Sequence, residues 1–187
     1  MFELENFTED EYTSKYSMMS IESICEDGRG RVISTDYILS HKGQYPVFSS
    51  QTTNQGIFGY IDTYDFEGEY ITWTTDGANA GTIFYRNGRF NCTNVCGTLK
   101  AKDNSIVNMQ YLAYILGKVA HKHVNHVGND KLMNARMKKI IIPIPPKQLQ
   151  DAFADFVESC DKLKFEAQER INKLTLERNV LIEKYFK

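Results

Sequence analysis

The chain has 187 residues, of which 42% are hydrophobic and 25% are charged, and its formal net charge is −2. This length and composition are typical of a globular protein with one domain and room for an appendage. No run of eighteen apolar residues is present, and the first fifteen residues are acidic, so the sequence predicts neither a membrane span nor a signal peptide, and we expect a cytoplasmic protein.

Charge is distributed unevenly along the chain. Residues 1–27 hold eight acidic residues against one lysine, whereas residues 28–143 hold thirteen Lys and Arg against eight Asp and Glu. The middle of the chain is therefore the part best suited to a polyanion such as nucleic acid. The four cysteines form no CxxC pair, so we expect free thiols.

Short elements are predicted through the first half of the chain. Ser20 and Ser34 are candidate N-caps for two short helical segments, and Gly28 would close the first. Short apolar and aromatic runs broken by Gly, Asn, Asp and Thr predict strands. These strands cover residues 45–48, 59–61, 70–73, 82–85 and 90–92. The pair Asn87-Gly88 predicts a tight hairpin turn between the last two strands.

The chain continues with a second helix and a final strand. The helix is predicted over residues 108–120, because its apolar residues recur on one side. Residues 138–142 predict the strand, which ends in an extended junction containing Pro143, Pro145 and Pro146. Residues that precede proline are kept out of the helical region, so the next helix begins after this junction.

The last 41 residues contain neither Gly nor Pro and predict one long amphipathic helix. Apolar residues recur along it at steps of three and four, with Arg178 in the one polar position. Those predicted to mediate dimerisation are Leu149, Phe153, Phe156, Cys160, Leu163, Ile171, Leu174 and Leu181. At about 1.5 Å per residue the helix is roughly 60 Å long, too long for one small domain to cover. We therefore expect it to pair with another helix, the alternative being that it folds back across its own domain.

These elements together predict an α+β fold. We expect a mixed α/β globular domain in residues 1–145 and one long coiled-coil helix in residues 146–187.

Two polar loops provide the candidate binding residues. Residues 49–56 and 74–81 each follow a predicted strand and are rich in Ser, Thr, Asn, Gln and Gly. Asn and Gln can pair with adenine edges, and hydroxyls and backbone amides can hold phosphates, although such loops are also ordinary turns. Candidates for base or sugar contacts are Ser50, Gln51, Thr52, Thr53, Asn54, Thr75, Asp76 and Asn79, with Arg86 and Lys131 as candidate phosphate ligands.

Catalytic and metal-binding patterns are weak in comparison. The sequence has no GxSxG, GxxxxGK[ST] or HExxH motif. A carboxylate set at residues 62–69 and a histidine set at residues 121–126 are better explained as turn acids and a solvated helix end than as metal ligands. Cys92 and Cys96 are expected to face a core rather than to act as nucleophiles. We therefore expect no catalytic residue, no metal site and no cofactor.

Four segments carry a resemblance to a known family. The sequences GQYPVFSSQT (residues 43–52), GIFGYI (56–61), TWTTDG (72–77) and IPIPP (142–146), the last leading into the long helix, closely resemble the specificity subunit of type I restriction-modification systems. The resemblance covers residues 16–187. It implies a target-recognition domain that reads one half of an interrupted site in double-stranded DNA. It also implies a long helix that acts as a spacer and docks the methyltransferase (modification) subunit and, through it, the restriction subunit.

The chain departs from the family's usual arrangement in one respect. The family pairs two recognition domains with two antiparallel helices, whereas this sequence has one of each. The resemblance therefore implies a non-catalytic half-subunit that homodimerises through its C-terminal helix. Two other hypotheses stay open on the sequence: the specificity module of a related methyltransferase-nuclease system, and a coiled-coil adaptor without catalytic function. A stand-alone nuclease that uses the acids of residues 62–69 is a further alternative.

Overall fold

A computed structural model describes residues 15–185. The strands are β1 (Ser17–Ser20), β2 (Cys25–Arg29), β3 (Lys42–Phe48), β4 (Ile57–Ile61), β5 (Phe66–Thr74), β6 (Ile83–Cys92), β7 (Cys96–Ala101) and β8 (Ile141–Ile144). The α-helices are α1 (Ile21–Ile24), α2 (Thr35–Ser40), α3 (Met109–Val119), α4 (Asn134–Met137) and α5 (Lys147–Tyr185), with 3-10 turns at Thr53–Gly56 and Ala120–His123. This mixture of sheet and helix followed by one long helix confirms the predicted α+β class.

Six of the strands form one mixed sheet. Its order is β2-β7-β5-β6-β3-β4, and all neighbours are antiparallel except β3 and β6, which run parallel. The remaining two strands, β1 and β8, pair with each other in a separate ribbon, with Ser17 opposite Ile144 and Ser20 opposite Ile141.

The β5–β6 ribbon is sharply bent. Strands β6 and β7 lie on opposite sides of β5. In a flat sheet the end of β6 and the start of β7 would be about 30 Å apart, measured along β5. Only three residues separate Cys92 from Cys96, however, and the four Cα-to-Cα steps between them span at most about 14 Å. The bend lies at Gly68 and Gly88, which pair with each other and have φ of +104° and +107°. Only glycine adopts such backbone angles at little cost.

This bend corrects the prediction of a hairpin turn at Asn87-Gly88. Both residues lie inside β6, where Asn87 pairs with Glu69 and Gly88 with Gly68. The Asn-Gly signal marks a place where the backbone needs a positive φ, and here that place is a bend within a strand instead of a turn between two.

The starts of the first three helices agree with the sequence prediction, but the role predicted for Gly28 does not. Ser34 Oγ accepts a hydrogen bond from Tyr37 N at the start of α2, and Asn108 Oδ1 accepts from the first turn of α3. The first helix starts after Ser20 as predicted but ends at Ile24. Gly28 lies in β2, where it pairs with Thr98, so the prediction that it closes α1 is wrong.

The main core lies between the sheet and α3. Trp73, Leu99, Leu112 and Leu116 are fully buried there. The Trp73 ring lies directly over Gly97, where a Cβ atom would collide with it. Its indole Nε1 donates to Leu132 O at 2.7 Å, so the one polar atom of this ring has a partner.

The chain divides into two compact units, Met1–Gln150 and Asp151–Lys187. In the second unit most large apolar side chains are exposed, including Leu163, Ile171, Leu174 and Leu181. Phe153 differs, because only 8% of it is exposed, and it therefore does not belong to the exposed stripe that was predicted. Within the described residues, none of the helices is both long and apolar enough to cross a bilayer.

Candidate nucleic-acid interface

The turn between β6 and β7, residues 93–95, is where the two polar loops meet. Thr93 Oγ1 donates to Ser49 Oγ at 2.9 Å, and Thr93 N donates to Phe48 O at 2.8 Å, so the first loop begins beside this turn. Thr75 N donates to Val95 O at 3.0 Å, so the second loop begins beside it too. Because the β5–β6 ribbon bends, two loops whose first residues are 25 positions apart in the chain lie on either side of one turn.

The first loop, residues 49–56, has a constrained backbone and an exposed tip. Ser49 N donates to Gly56 O at 2.9 Å across its base, and the Gln51 amide donates to Ile57 O. Asn54, Gln55 and Gly56 take consecutive positive φ angles of 49°, 52° and 80°. Such angles are uncommon for residues with a side chain and often mark functional segments. Four consecutive side chains of the loop are exposed to solvent: Thr52, Thr53, Asn54 and Gln55.

Arg86 is buried beneath the first loop and forms a hydrogen bond with its backbone. Its guanidinium lies 3.5 Å from the centre of the Phe48 ring and 4.4 Å from that of Phe84, and it donates to Gln55 O at 2.7 Å. Nε donates to Thr72 Oγ1 at 3.2 Å. Burial lowers the pKa of Arg86 to about 10, so the side chain stays charged at neutral pH.

The position of Arg86 corrects its predicted role. The side chain was a candidate phosphate ligand, but only 7% of it is exposed. The inward direction follows from the strand, because alternate side chains face opposite sides and Arg86 falls on the side of Phe84. Arg86 therefore positions the first loop and does not present its charge to a ligand.

The second loop, residues 74–81, is folded back on itself. Gly81 N donates to Thr74 O at 2.9 Å, and Ala80 N donates to Gly77 O at 2.8 Å. Asn79 is exposed at the tip, as a base-contacting residue would need to be. Thr75 is not, because it is fully buried, with its hydroxyl 2.6 Å from Asp76 Oδ2 and 3.0 Å from Val95 O. The prediction that Thr75 contacts a base is corrected in the same way as that for Arg86.

Two cations meet at Asp76. Arg29 Nη2 lies 3.4 Å and Lys131 Nζ 3.8 Å from its carboxylate. Lys131 is exposed, and its backbone bridges to Asn125 and Asp76. Two positive charges around one negative charge leave this side of the turn cationic, which suits a phosphate.

Arg29 and the turn were not among the residues predicted from the sequence to form the site. Arg29 Nε donates to Asn94 O at 2.7 Å and Nη2 donates to Thr75 Oγ1 at 2.9 Å, so this side chain joins the turn to the second loop. Asn94 is exposed between the two loops. The Gly28-Arg29-Gly30-Arg31 segment was a visible signal, but its distance from the loops along the chain gave no reason to group them.

The family of the chain follows from comparison with known proteins. Residues 13–176 match the family model described as the type I restriction modification DNA specificity domain. The chain belongs to this family. The type I specificity family is also represented among the chain's relatives from Mycoplasma pneumoniae. The putative type I specificity subunit S.MpnORF289P N-terminus is 46% identical over 140 residues, covering 74% of this chain and 74% of that protein.

Other relatives are longer than this chain. The putative type I specificity subunit S.MpnORF507P of Mycoplasma pneumoniae is 42% identical over 144 residues, which cover 76% of this chain but 39% of that protein. The crystal structure of the type I restriction-modification system S subunit from M. genitalium superposes with a TM-score of 0.68 at 17% identity, covering 79% of this chain and 39% of that chain. The chain therefore spans less than half the length of these type I specificity subunits.

The residues considered for metal binding have other contacts in this type I specificity fold. Asp65 pairs with Arg31 at 2.8 Å, and Glu67 pairs with Arg89 at 2.7 Å. Between residues 15 and 185, no group of three or more His, Cys, Asp or Glu is placed to hold a metal ion. Cys92 and Cys96 are both buried, as expected of core thiols.

Proposed function

We propose that this chain is a DNA-reading half-subunit of a type I restriction-modification system, without catalytic activity of its own. Its globular unit reads one half of an interrupted double-stranded DNA site. Methylation and cleavage belong to the modification and restriction subunits, which it directs. The observation that carries the proposal is the convergence of both polar loops on the turn at residues 93–95, in a chain whose family is a DNA specificity domain.

The chemistry of this surface suits duplex DNA. Asn54, Gln55 and Asn79 offer amides that can pair with base edges, and all three are exposed. Lys131 supplies a cation next to Asp76 of the second loop. Asp76 can accept from the amino group of a cytosine or keep Lys131 in place. Base contacts from the loop tips and a phosphate contact from Lys131 would together fix both sequence and register.

The long helix gives the proposal its second part. We propose that two copies pair antiparallel through the stripe of α5, which restores two recognition domains and two helices. A twofold dimer presents the same reading surface twice, so its target is a symmetric bipartite sequence. An adaptor that uses only its helix is the alternative, and it predicts no preference among DNA sequences.

DNA selection from a random duplex library with purified full-length protein tests the proposal. We expect a preferred sequence whose affinity falls with salt. Lys131→Ala should weaken binding to all sequences and lower the slope of log K against log salt by about 1, because one phosphate contact is lost. Asn79→Ala should change the preferred bases instead.

Lys100→Ala is the matched control for Lys131→Ala. Lys100 is an exposed lysine on β7, four residues beyond Cys96 and away from the turn. Its removal should leave the slope unchanged. Equal weakening by both lysine variants, or selection that enriches no sequence, would contradict the assignment of this surface.

A further inference from the structure

The apolar stripe of α5 reads the same in both directions. From Leu149 to Ala167 the steps are 4, 3, 4, 3 and 4, and from Ala167 to Tyr185 they are again 4, 3, 4, 3 and 4. Each half spans eighteen residues, which is five turns at 3.6 residues per turn. The stripe therefore runs parallel to the axis of an undistorted α-helix along the whole element, and a partner can follow it with little supercoiling.

We infer that this symmetry sets the register of the dimer, with the twofold axis at Ala167. The inference rests on the antiparallel pairing in the proposed function and specifies its alignment. A twofold axis at Ala167 places each stripe residue at the level of a residue of the second copy, such that the two residue numbers add up to twice 167. The layers are Ala167 with itself, Leu163 with Ile171, Cys160 with Leu174, Phe156 with Arg178, and Leu149 with Tyr185. Leu181 of the second copy falls at the level of Phe153, which is buried in the single chain and contributes only to the spacing of the stripe.

The polar position of the stripe has a fitting neighbour in this register. Arg178, the only charged residue in the stripe, lies opposite Phe156 of the second copy. A guanidinium stacks favourably on an aromatic ring, whereas it would be costly against an aliphatic layer. Phe156 is 53% exposed in the single chain. Arg178 lies on the same face as Leu174, Leu181 and Tyr185, because these side chains line one groove along α5.

The flanking charges also fit. Glu166 and Arg170 lie on the same flank of the stripe, at 100° and 60° from Ala167. The twofold axis places Arg170 of the second copy about 3 Å along the axis from Glu166, on that same side. Two Glu–Arg pairs therefore lie on one side of the interface, one before and one after the central layer along the axis. Between them, the small side chain of Ala167 lets the helices approach closely.

The end of the helix meets a matching surface as well. In this register Tyr185 of the second copy lies at the level of Leu149. Leu149 borders an apolar groove of about 580 Å³ that is also lined by Tyr16, Ile144 and Pro145. An antiparallel alignment centred on residue 158 or 176 also places stripe residues opposite stripe residues, but it pairs only half of the stripe. Those alignments leave Arg178 unpaired or facing Leu174.

Single-cysteine crosslinking of the full-length protein tests the register. In a Cys160→Ala background the remaining cysteines, Cys25, Cys92 and Cys96, are buried. Ala167→Cys should form a disulfide-linked dimer on mild oxidation, because the twofold axis brings the two thiols together. Leu163→Cys and Ile171→Cys should each fail to link alone and should link efficiently when the two proteins are mixed. A second variant, Leu174→Cys with the native Cys160, should link to itself.

The outcomes separate the register from the proposed function. A parallel dimer would link Leu163→Cys to itself, and a shifted antiparallel dimer would leave Ala167→Cys unlinked; either result overturns the register while light scattering still reports a dimer. A Cys160→Ala protein that is monomeric at all concentrations by light scattering would instead overturn the homodimer of the proposed function.

Discussion

A single arginine connects the core of the sheet to the first polar loop. Arg86 is a buried cation that pairs with no carboxylate among residues 15–185. The rings of Phe48 and Phe84 and hydrogen bonds to Thr72 and Gln55 stabilise it. Its contact with the carbonyl of Gln55 lies where the backbone takes positive φ angles. The loop conformation therefore depends on a planar group that reaches two acceptors at once.

We predict that Arg86→Lys weakens DNA binding while the chain stays folded. A lysine keeps the charge but cannot stack on Phe48 and reach both Thr72 and Gln55, so the loss in unfolding free energy should be about 1–3 kcal/mol. Thermal unfolding and affinity for the selected DNA measure the two effects.

Arg89→Lys is the matched control. Arg89 is an exposed arginine on the same strand, paired with Glu67. It should leave both unfolding and DNA affinity nearly unchanged. Unchanged DNA affinity in Arg86→Lys would show that the loop does not depend on this arginine.

At the scale of residues, the sequence located the two polar loops but not the direction of each side chain. The exposed tips, such as Asn54 and Asn79, follow from their place in a loop. Thr75 and Arg86 are buried by contacts with residues distant in the chain, Val95 for Thr75 and Phe48 for Arg86, and the loop composition does not reveal those contacts. The exposure of Lys131 and its distance from Asp76 depend in the same way on tertiary contacts.

At the scale of elements, local signals predicted the helices best. The cap of α3 at Asn108 and the unbroken stripe of α5 are properties of short sequence windows. The bend in β5–β6 was missed because it needs Gly68 and Gly88 to face each other, and they lie twenty residues apart. Sheet order and the meeting of the two loops depend on that same pairing.

The start of α5 has an anchor that the amphipathic pattern does not explain. Gln150 is fully buried within the first unit. Its Oε1 accepts from Asn108 N at 2.9 Å, and its Nε2 donates to Ile106 O at 3.0 Å and Pro145 O at 2.7 Å. One amide thereby satisfies three backbone groups at the junction between the strand β8 and the helix.

We predict that Gln150→Leu lowers the unfolding free energy by at least about 3 kcal/mol. The leucine would leave the three backbone groups buried without this partner, and each costs about 1–3 kcal/mol. Denaturant unfolding of the full-length protein measures the change. Gln148→Leu, at an exposed position of the same turn, should cost little. Equal stability of the two variants would contradict the role of Gln150 as an anchor.

At the scale of the whole molecule, we propose that the chain supplies one recognition domain and one helix, and that a second copy supplies the other two. The S subunit from M. genitalium that superposes on this chain is about twice as long, because the superposed part makes up 79% of this chain and 39% of that chain. Because the spacing of the stripe has twofold symmetry, two copies of α5 can pair through the same surface, as a twofold homodimer requires. The stripe is a property of the sequence of α5 alone, whereas the target sequence depends on how the folded loops present their side chains to DNA.

Methylome sequencing tests the central claim most directly. The chain would be co-expressed with a type I modification subunit in cells that lack other adenine methyltransferases, with Ala167→Pro, which breaks α5, as the control. We predict methylation at one bipartite motif whose two halves are reverse complements of each other, and its loss in the control. An asymmetric motif, with two unrelated halves, would contradict the account, because identical domains related by a twofold axis cannot read different sequences.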